Sequence, residues 1–437
     1  MKLKISSSKI VKPIYESNSN VLNNSPNFIH LSVFDRVTYD QHVAVIYAYR
    51  PPTPSNAAVE LGLRRALGVY RAWAGRLGTD PATGNPIILL NDAGVRFVEA
   101  SFDHALDEQS MLKPSRSSLT LHPAFDGVVE LVQVQLTRFA CGSLVVGFTS
   151  HHLVADGHAT SDFLVAWGRA CRGLEIVPRP FCDRAVFSPR DPPVFEYEHR
   201  GVEFISKNFK KAYPLIDNSV ENIVVHRVHY TVDFLSRLKA KASSNKASYT
   251  TFESLVGHLW RAITIARGLN GHETTQVRMS VDGRSRIKPK LPDEYFGNLV
   301  LWAFARSKVE VLVENPLSYA ARLLHEAIVN VGDDYFKSFI DFASHKAKEE
   351  DLIPNAVADT HESILWPDLE VDSWLRFPFY DLDFGSGSPH IFVPSFSPTE
   401  GMIFLLPSFA KDRSIDVFVP LFRDNVAKFE EICYSLD

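Results

Sequence analysis

The sequence has 437 residues, of which 45% are hydrophobic and 22% charged, a composition typical of globular proteins rather than of disordered, collagen-like or coiled-coil chains. At about 150 residues per domain, the length predicts two or three domains with cores that need no disulfides. The formal net charge of −5, from 46 basic and 51 acidic residues, gives no field that would attract nucleic acid as a partner.

The cysteines and the apolar runs bear on metal binding and location. The four cysteines form no Cys-x-x-Cys pair, so we expect no metal site and reduced thiols in a cytoplasmic protein. Residues 1–9 lack the apolar core of about 7–15 residues that a signal peptide needs. No uncharged apolar run approaches the ~20 residues needed to cross a bilayer, so no membrane association is expected.

Hydrophobic periodicity predicts alternating strands and helices in the first half of the chain. The predicted strands cover 3–11, 43–49, 132–137 and 144–148, and the predicted helices cover 55–74 and about 159–170. The run 144–148 is apolar throughout, which is typical of a strand buried on both faces. It leads into a Thr-Ser-His-His sequence directly before a helix.

The second half begins after a change in composition. Five prolines lie between Pro178 and Pro193, and periodicity is weak up to about 222, so we interpret 178–222 as a crossover linker. Strands are then predicted at 224–232, 276–281, 402–406 and 415–419, the last two as a hairpin. Helices are predicted at 250–268, where Thr250 and Glu253 form a capping box, at 316–331 and from about 425. This alternation predicts a two-lobed mixed α/β enzyme, with an N-terminal lobe at 1–177 and a C-terminal lobe at 223–437.

The segment 151–157, His-His-Leu-Val-Ala-Asp-Gly, is the strongest chemical signal in the chain. A His-x-x-x-Asp-Gly pattern alone is weak, and the chain contains a second match at 122–127. Context separates the two, because His122 precedes a proline in a polar stretch whereas His152 lies between a buried strand and a helix. Strand ends in α/β folds face crevices where ligands bind, so His152 is the candidate for chemistry.

A free imidazole at that place suits a general base. With a pKa near roughly 6.5, a neutral His152 accepts a proton from an alcohol or amine nucleophile. Asp156 either orients His152 or, as we prefer, pairs with an arginine and holds the loop. Gly157 permits a tight backbone, left-handed if required. The alternative is that His152 is a buried histidine whose hydrogen bonds are satisfied.

The histidine motif and several other segments together resemble the BAHD acyl-CoA-dependent acyltransferases of plants. The segments that carry this resemblance are 70–77 (Tyr-Arg-Ala-Trp-Ala-Gly-Arg-Leu), 281–286 (Val-Asp-Gly-Arg-Ser-Arg), 295–298 (Tyr-Phe-Gly-Asn) and 383–387 (Asp-Phe-Gly-Ser-Gly). Segments 7–13, 370–376 and 433–437 are similar to a narrower branch, the cereal hydroxycinnamoyl-CoA amine N-acyltransferases. The resemblance is specific because the segments occur in the family's order over the whole chain.

The resemblance implies a fold and a reaction. The fold would be the two-lobed α/β architecture of chloramphenicol acetyltransferase, with mixed sheets, flanking helices and an active-site channel between the lobes. Acyl-CoA would be the co-substrate, without a permanently bound cofactor. A hydroxycinnamoyl or benzoyl group would pass directly to an amine such as agmatine, tryptamine, tyramine or putrescine, forming a phenolamide of plant defence. The family also favours a monomer.

The same resemblance assigns roles to motif residues. His152 would be the general base. Trp374 would donate its indole N–H to the tetrahedral oxyanion, where one donor is worth roughly 3 kcal/mol. Asp383 is also among the catalytic candidates, although we expect it mainly to pair with a basic residue and, together with Gly385, to shape a structural loop.

Asp372 stands where the family has threonine. A carboxylate in the acceptor channel would attract an ammonium or guanidinium group and so favours an amine acceptor, the alternative being an exposed turn residue. We expect Arg286 to pair with Asp156. Arg284 and Ser254 are candidates for binding CoA phosphates, Ser254 because it lies in the first turn of a capped helix.

Three other functions stay open from the sequence. An O-acyltransferase would use the same base on an alcohol, a condensation-type peptide synthetase module shares the histidine motif, and a binding protein would use the scaffold without catalysis. Asp372 argues against the first, the lack of a carrier or adenylation segment argues against the second, and the intact His152 argues against the third.

Overall fold

The structure, a computed structural model, describes residues 3–15, 27–177, 179–207, 220–244, 247–358, 364–396 and 398–436. The predicted linker and the terminal segment 433–437 therefore lie partly outside the described residues. The strands, in chain order, are β1 (Lys4–Val11), β2 (Phe28–His30), β3 (His42–Tyr49), β4 (Arg76–Thr79), β5 (Pro86–Leu89), β6 (Val95–Ser101), β7 (Val132–Arg138), β8 (Leu144–His151), β9 (Phe204–Ser206), β10 (Ile223–Tyr230), β11 (Thr274–Asp282), β12 (Val300–Lys308), β13 (Leu352–Pro354), β14 (Leu369–Ser373), β15 (Ile391–Pro394), β16 (Met402–Pro407) and β17 (Ile415–Phe422). The α-helices are α1 (Val33–Val37), α2 (Asn56–Val69), α3 (Glu108–Met111), α4 (Gly157–Cys171), α5 (Val232–Ala242), α6 (Thr251–Ala266), α7 (Val309–Glu314), α8 (Leu317–Asn330), α9 (Asp333–Ser344), α10 (Lys346–Glu349), α11 (Asn355–Ala358) and α12 (Arg423–Ile432).

Two six-stranded mixed sheets organise the two lobes. The strand order is β1-β6-β7-β8-β3-β15 in the first sheet and β10-β17-β16-β14-β11-β12 in the second. In the first sheet β6 and β7 are parallel, and in the second β14 is parallel to both β11 and β16. Each sheet has its own large apolar core. This two-lobed mixed α/β architecture is the predicted fold class.

A strand from the second half of the sequence completes the first sheet. β15 pairs antiparallel with β3, so that Phe392 lies opposite Tyr47. The boundaries at 177 and 223 stay predictions, but the stretch 223–437 gives this strand to the first lobe. Periodicity does not show such an exchange, because a short apolar strand pairs equally well with either sheet.

The strand before the histidine motif is buried along its whole length. Every residue of β8 is buried, as the apolar run predicts, and both of its edges are paired, with β7 and β3. Gly147 is required within it because a Cβ there would lie 2.1 Å from the carbonyl oxygen of Leu121. The rigid strand therefore fixes where the residues that follow it begin.

Predicted helices and strands are present in the structure, but some of them end earlier than predicted. The helix predicted over 55–74 ends at Val69, and a short 3₁₀ turn follows at Arg71–Ala74. The strand predicted over 224–232 ends at Tyr230, because the side chain of Thr231 caps α5, a helix that the periodicity did not reveal. The capping box of Thr250 and Glu253 is present at the start of α6, as predicted.

A buried ion pair joins the first lobe to the second. Asp156 caps α4 by accepting from the Ala159 N–H at 3.0 Å, and it accepts two hydrogen bonds from Arg284 at 2.8 and 3.0 Å. Arg284 follows β11 of the second sheet, and both side chains are 3% exposed. The carboxylate therefore pairs with an arginine, as predicted, but with Arg284.

The prediction that Arg286 pairs with Asp156 is wrong because of the turn after β11. Asp282 accepts from the Arg284 N–H at 2.9 Å, and the turn directs Arg284 into the contact between the lobes. Arg286 donates instead to two carbonyl groups at the C-terminal end of α8, both at 2.8 Å. A cation is favourable there because the helix end carries partial negative charge.

Replacing Arg284 should destabilise the protein more than replacing Arg286. Arg284→Met leaves Asp156 buried without its cation and should lower the free energy of unfolding by about 3–5 kcal/mol. Arg286→Met is the matched control and should cost only about 1–2 kcal/mol, because it frees two neutral carbonyls. Urea unfolding followed by tryptophan fluorescence measures both, and a larger loss in the Arg286 variant would contradict the pairing.

Candidate active site

His152 lies directly after β8, with its backbone held from two directions. Its N–H donates to the carbonyl of Gln41 at 2.9 Å, and its own carbonyl accepts from the side-chain amide of Asn298 at 2.9 Å. The ring Nδ1 lies 3.1 Å from the Oγ1 of Thr38. The other ring nitrogen, Nε2, makes no hydrogen bond within the described ranges. Nδ1 is thus within hydrogen-bond distance of Thr38, whereas Nε2 is free to contact a substrate.

The surroundings of His152 favour the neutral imidazole. Burial lowers the pKa of His152, although the charges of Asp156 and Glu370 act in the opposite direction. The side chain is half-buried rather than sealed in the core. A neutral ring with an open nitrogen accepts a proton near pH 7, which argues against a histidine with satisfied hydrogen bonds.

The second motif match behaves differently. His122 is buried, its Nε2 lies 2.6 Å from the Oγ of Ser395, and its Nδ1 lies 2.9 Å from the carbonyl of Pro123. Both ring nitrogens are occupied, so this histidine has no atom left for a substrate. The context of the two matches in the sequence predicted this difference.

Asp156 does not orient His152. Its oxygens are taken by Arg284, by the N–H of Ala159 and by the N–H of Leu299 at 3.0 Å. The next residue, Gly157, does not adopt the left-handed conformation that the sequence left open. A Cβ there would lie 2.7 Å from the ring of Phe377, so a larger residue would displace that ring.

One face of β14 carries two acidic residues, of which Glu370 is linked to the surroundings of His152. Glu370 and Asp372 share this face because strand residues alternate, and Trp374 continues it. The hydroxyl of Tyr39 donates to both carboxylate oxygens of Glu370 at 3.0 Å, and the ring centroids of Tyr39 and His152 are 6.2 Å apart. Glu370 therefore lies on the His152 side of the second sheet.

The two carboxylates differ in their partners. Glu370 is almost fully buried and forms a salt bridge with Arg278. Asp372 is half-buried and has no salt bridge among the residues that the structure describes. Burial, and then the charge of Glu370, raise the pKa of Asp372 to about 7, against the opposing effects of Ser280 and Arg278.

Trp374 packs in an aromatic cluster between the two lobes. Its ring centroid lies 5.6 Å from that of Phe379, 5.8 Å from that of Phe392 and 5.1 Å from that of Phe404. The side chain is 9% exposed, and its indole N–H has no partner in the described part of the chain. The ring is thus firmly placed and keeps a free donor.

Asp383 lies far from His152, so the catalytic assignment of Asp383 is wrong. Its Oδ2 lies 3.2 Å from a guanidinium nitrogen of Arg172, just beyond the C-terminal end of α4, whereas His152 precedes the N-terminal end. At 1.5 Å per residue, this helix separates the two by roughly 20 Å. Asp383 Oδ1 accepts from the N–H groups of Gly385 and Gly387, so the loop has the expected structural role.

The two candidates for binding CoA phosphates are both engaged in other contacts. Ser254 is fully buried and its hydroxyl donates to the carbonyl of Thr250 at 2.8 Å. The helix start is already filled by Glu253, whose carboxylate accepts from the Thr250 N–H, so no anion site is left there. Arg284 is buried and bound to Asp156. Neither side chain faces a position that a phosphate could occupy.

The sequence analysis missed several residues of the site. These are Thr38, Tyr39, Arg278, Asn298 and Glu370. Asn298 and Glu370 lie inside segments that carried the resemblance, and the period of two along β14 was the signal that would have added Glu370 to Asp372. Thr38 and Tyr39 directly follow α1, Arg278 lies in β11, and nothing in their local sequence marks these three residues.

No group of three or more histidine, cysteine or acidic side chains is arranged to hold a metal ion within residues 3–436, the undescribed gaps aside. In the same ranges, no helix has both the length and the apolar character needed to cross a membrane.

Comparison with known proteins places the chain in a family. The model of the Transferase family matches residues 1–436. Agmatine coumaroyltransferase-1 of Hordeum vulgare is 49% identical over all of both chains. Agmatine hydroxycinnamoyltransferase 1 of Oryza sativa subsp. japonica is 48% identical, over 100% of this chain and 99% of its own. The crystal structure of vinorine synthase superposes with a TM-score of 0.73 at 23% identity, covering 98% of this chain and 96% of the other.

The vinorine synthase likeness confirms the fold, and the full-length identities confirm the family that the motifs resemble. The protein belongs to the Transferase family of BAHD acyltransferases, and it is similar over its whole length to the agmatine hydroxycinnamoyl- and coumaroyltransferases named above.

Proposed function

We propose that this protein transfers a hydroxycinnamoyl-type acyl group from its CoA thioester to a primary amine that carries a second cationic group. The observation that carries the proposal is the acidic face of β14. Glu370 and Tyr39 connect this face to the surroundings of His152, and Asp372 on the same face lacks a salt-bridge partner in the described structure. Relatives named for agmatine and putrescine acylation support this choice. The product is an amide of the aromatic acid, and acyl-CoA is a co-substrate rather than a bound cofactor.

His152 is the general base in this proposal. Its open Nε2 takes a proton from the amine nitrogen as that nitrogen attacks the thioester carbonyl, so that the C–N bond forms and the carbonyl electrons move to oxygen. Collapse of the tetrahedral intermediate breaks the C–S bond. The CoA thiolate then takes the proton from the imidazolium, which restores the neutral ring. The reaction needs no nucleophilic serine or cysteine.

Trp374 and Asp372 contact different parts of the reactants, the oxyanion and the distal cationic group of the acceptor. The free indole N–H of Trp374 is a donor for the oxyanion, which neutral groups stabilise well when they are fixed in place beforehand. Trp374 is fixed by its aromatic neighbours. Asp372 attracts the distal ammonium or guanidinium group of the acceptor and so holds the nucleophilic end toward His152.

We also propose a cellular location, an oligomeric state and a biological role for the enzyme. All four cysteines are free thiols, which suits the reducing cytoplasm. We expect a monomer, since the residues that form the site come from both lobes of one chain. A product of this class would belong to the plant's chemical defence.

Removal of the base should abolish most of the activity. His152→Ala should lower kcat by at least ~10² because the group that takes the proton is lost. The assay is amide formation, measured by mass spectrometry, from a mixture of acyl-CoAs and a panel of amines and alcohols. An unchanged thermal melting profile is the control, and retained turnover would remove His152 from the role of base.

Asp372→Asn should weaken the binding of dicationic acceptors more than the binding of monocationic ones. We expect KM to rise about tenfold or more for an amine with a distal guanidinium and to change little for tryptamine, because the lost interaction is with the distal charge. Asp381→Asn is the control, since Asp381 is exposed and nearby in sequence. Equal effects on both classes of amine would contradict recognition of a cation by Asp372.

The pH dependence of cation binding should follow Asp372. Because the pKa of Asp372 is raised to about 7, its charged fraction rises from about a tenth at pH 6 to about nine tenths at pH 8. Butylguanidine stays cationic over this range and has no amine to react. Calorimetry should show it binding up to about tenfold more tightly at pH 8, and Asp372→Asn should remove the difference. Tighter binding at pH 6 would contradict the assignment.

A further inference from the structure

Arg278 lies between two aromatic rings and beside a carboxylate. Its guanidinium carbon is 6.0 Å from the ring centroid of Tyr39 and 5.7 Å from that of Trp302. Its Nε donates to a carboxylate oxygen of Glu370 at 2.9 Å, and another of its nitrogens donates to the hydroxyl of Tyr39. That hydroxyl in turn donates to Glu370. Two rings and a carboxylate thus form a site for a guanidinium group, and the chain fills this site with its own arginine.

The second sheet brings this arginine close to Asp372. β11 and β14 are parallel neighbours, and Arg278 is the register partner of Glu370. Because strand residues alternate, Ser280 and Asp372 follow on the same face, where their side chains form a hydrogen bond. Burial is the main cause that raises the pKa of Asp372, the charge of Glu370 raises it further, and the charge of Arg278 lowers it. Both neighbouring charges therefore lie within reach of a ligand held by Asp372.

The two carboxylates of this face differ in what they offer a ligand. Glu370 accepts from Arg278 and Tyr39, and its side chain is 3% exposed. Asp372 has no cationic partner in the described part of the chain. Residues two positions apart on a strand lie roughly 7 Å apart, a separation similar to that of neighbouring ammonium groups in an extended polyamine. Without Arg278, this face would therefore present two carboxylates to a ligand that carries two distal charges.

We propose that Arg278 determines how many cationic groups the acceptor carries: by occupying Glu370 it leaves Asp372 as the carboxylate available to the acceptor, so that an amine with one distal cation is preferred to a linear triamine. This inference rests on the proposed function and deepens it, because it names the number of charges on the acceptor. The guanidinium also repels the middle ammonium of a triamine that is bound at Asp372. Arg278 is thus a specificity-determining residue and takes no part in the transfer of the proton or of the acyl group.

Removal of this guanidinium should widen the range of acceptors. In Arg278→Gln, the ratio of kcat/KM for spermidine to kcat/KM for putrescine should rise about tenfold, because Glu370 becomes available to the second distal ammonium. Arg306→Gln is the matched control, since Arg306 is an exposed arginine of β12 that donates to Gln276, and it should leave the ratio unchanged. A folded Arg278→Gln enzyme with the wild-type ratio would overturn the proposal.

A double variant covers the case in which the single variant does not fold. Arg278→Gln combined with Glu370→Gln leaves no buried carboxylate without its cation, and it should keep the wild-type ratio. A double variant that favours spermidine would contradict the role of Glu370 and so the proposal.

Binding without acyl-CoA tests the same claim independently of turnover. In calorimetry at pH 8, where Asp372 is mostly charged, spermidine should bind Arg278→Gln about tenfold more tightly than it binds the wild type. Equal affinities would refute the role of Arg278. If no acyl-CoA and amine pair reacts, the proposed function fails, while the calorimetric comparison still decides whether Arg278 limits the number of charges that the site accepts.

Discussion

The buried pair of Asp156 and Arg284 is the contact on which the rest of the site depends. It ties the start of α4 in the first lobe to the turn after β11 in the second, with both side chains 3% exposed. A buried carboxylate needs such a partner, since an unpaired one costs several kcal/mol. Because Asp156 is engaged in this way, it cannot form a dyad with His152. The imidazole is left with a neutral partner, and its basicity is set mainly by burial.

The other buried charges near the imidazole follow the same arrangement. Asp35 is paired with Arg184, and Glu370 is paired with Arg278 and accepts from Tyr39. Each carboxylate is neutralised in part by its arginine, so the charges of Asp156 and Glu370 only partly oppose the effect of burial on the pKa of His152. Asp372 differs, because it has no salt bridge within the described residues. Two functions are thus carried by different residues. His152 is the neutral base that takes the proton, and Asp372 is the acidic group that attracts a cationic acceptor.

The parts of this molecule that the sequence predicts are those determined by local pattern. The apolar run before His152, the capping box at Thr250 and the hairpin of β16 and β17 all depend on neighbouring residues, and the structure confirms them. Arg284 and Arg286 are two residues apart in one polar segment, and which of them meets Asp156 depends on a turn made by Asp282. No periodicity encodes that choice.

Ser254 illustrates the same limit at a helix start. A capped helix is compatible with an anion site, but here Glu253 supplies the negative group itself and the serine is buried beneath other elements. The contribution of β15 to the first sheet is a long-range event of the same kind. Local sequence specifies which elements form and which faces are apolar, whereas the partners of buried charges depend on how distant elements meet.

The path of the chain explains the structural role of the Asp383 loop. After β14, in the second sheet, the chain crosses back to the first lobe and enters its sheet as β15. Between these strands, Asp383 is bound to Arg172 at the C-terminal end of α4, while Asp156 is bound to Arg284 at the N-terminal end. Both ends of one helix are therefore tied by carboxylate–guanidinium pairs to segments that belong to the second half of the chain. Since a helix of 15 residues is stiff over its roughly 20 Å, the position of the returning strand is coupled to that of the loop at His152. The motif that lies far from the chemistry thus anchors to the first lobe the segment of the second half that enters the first sheet.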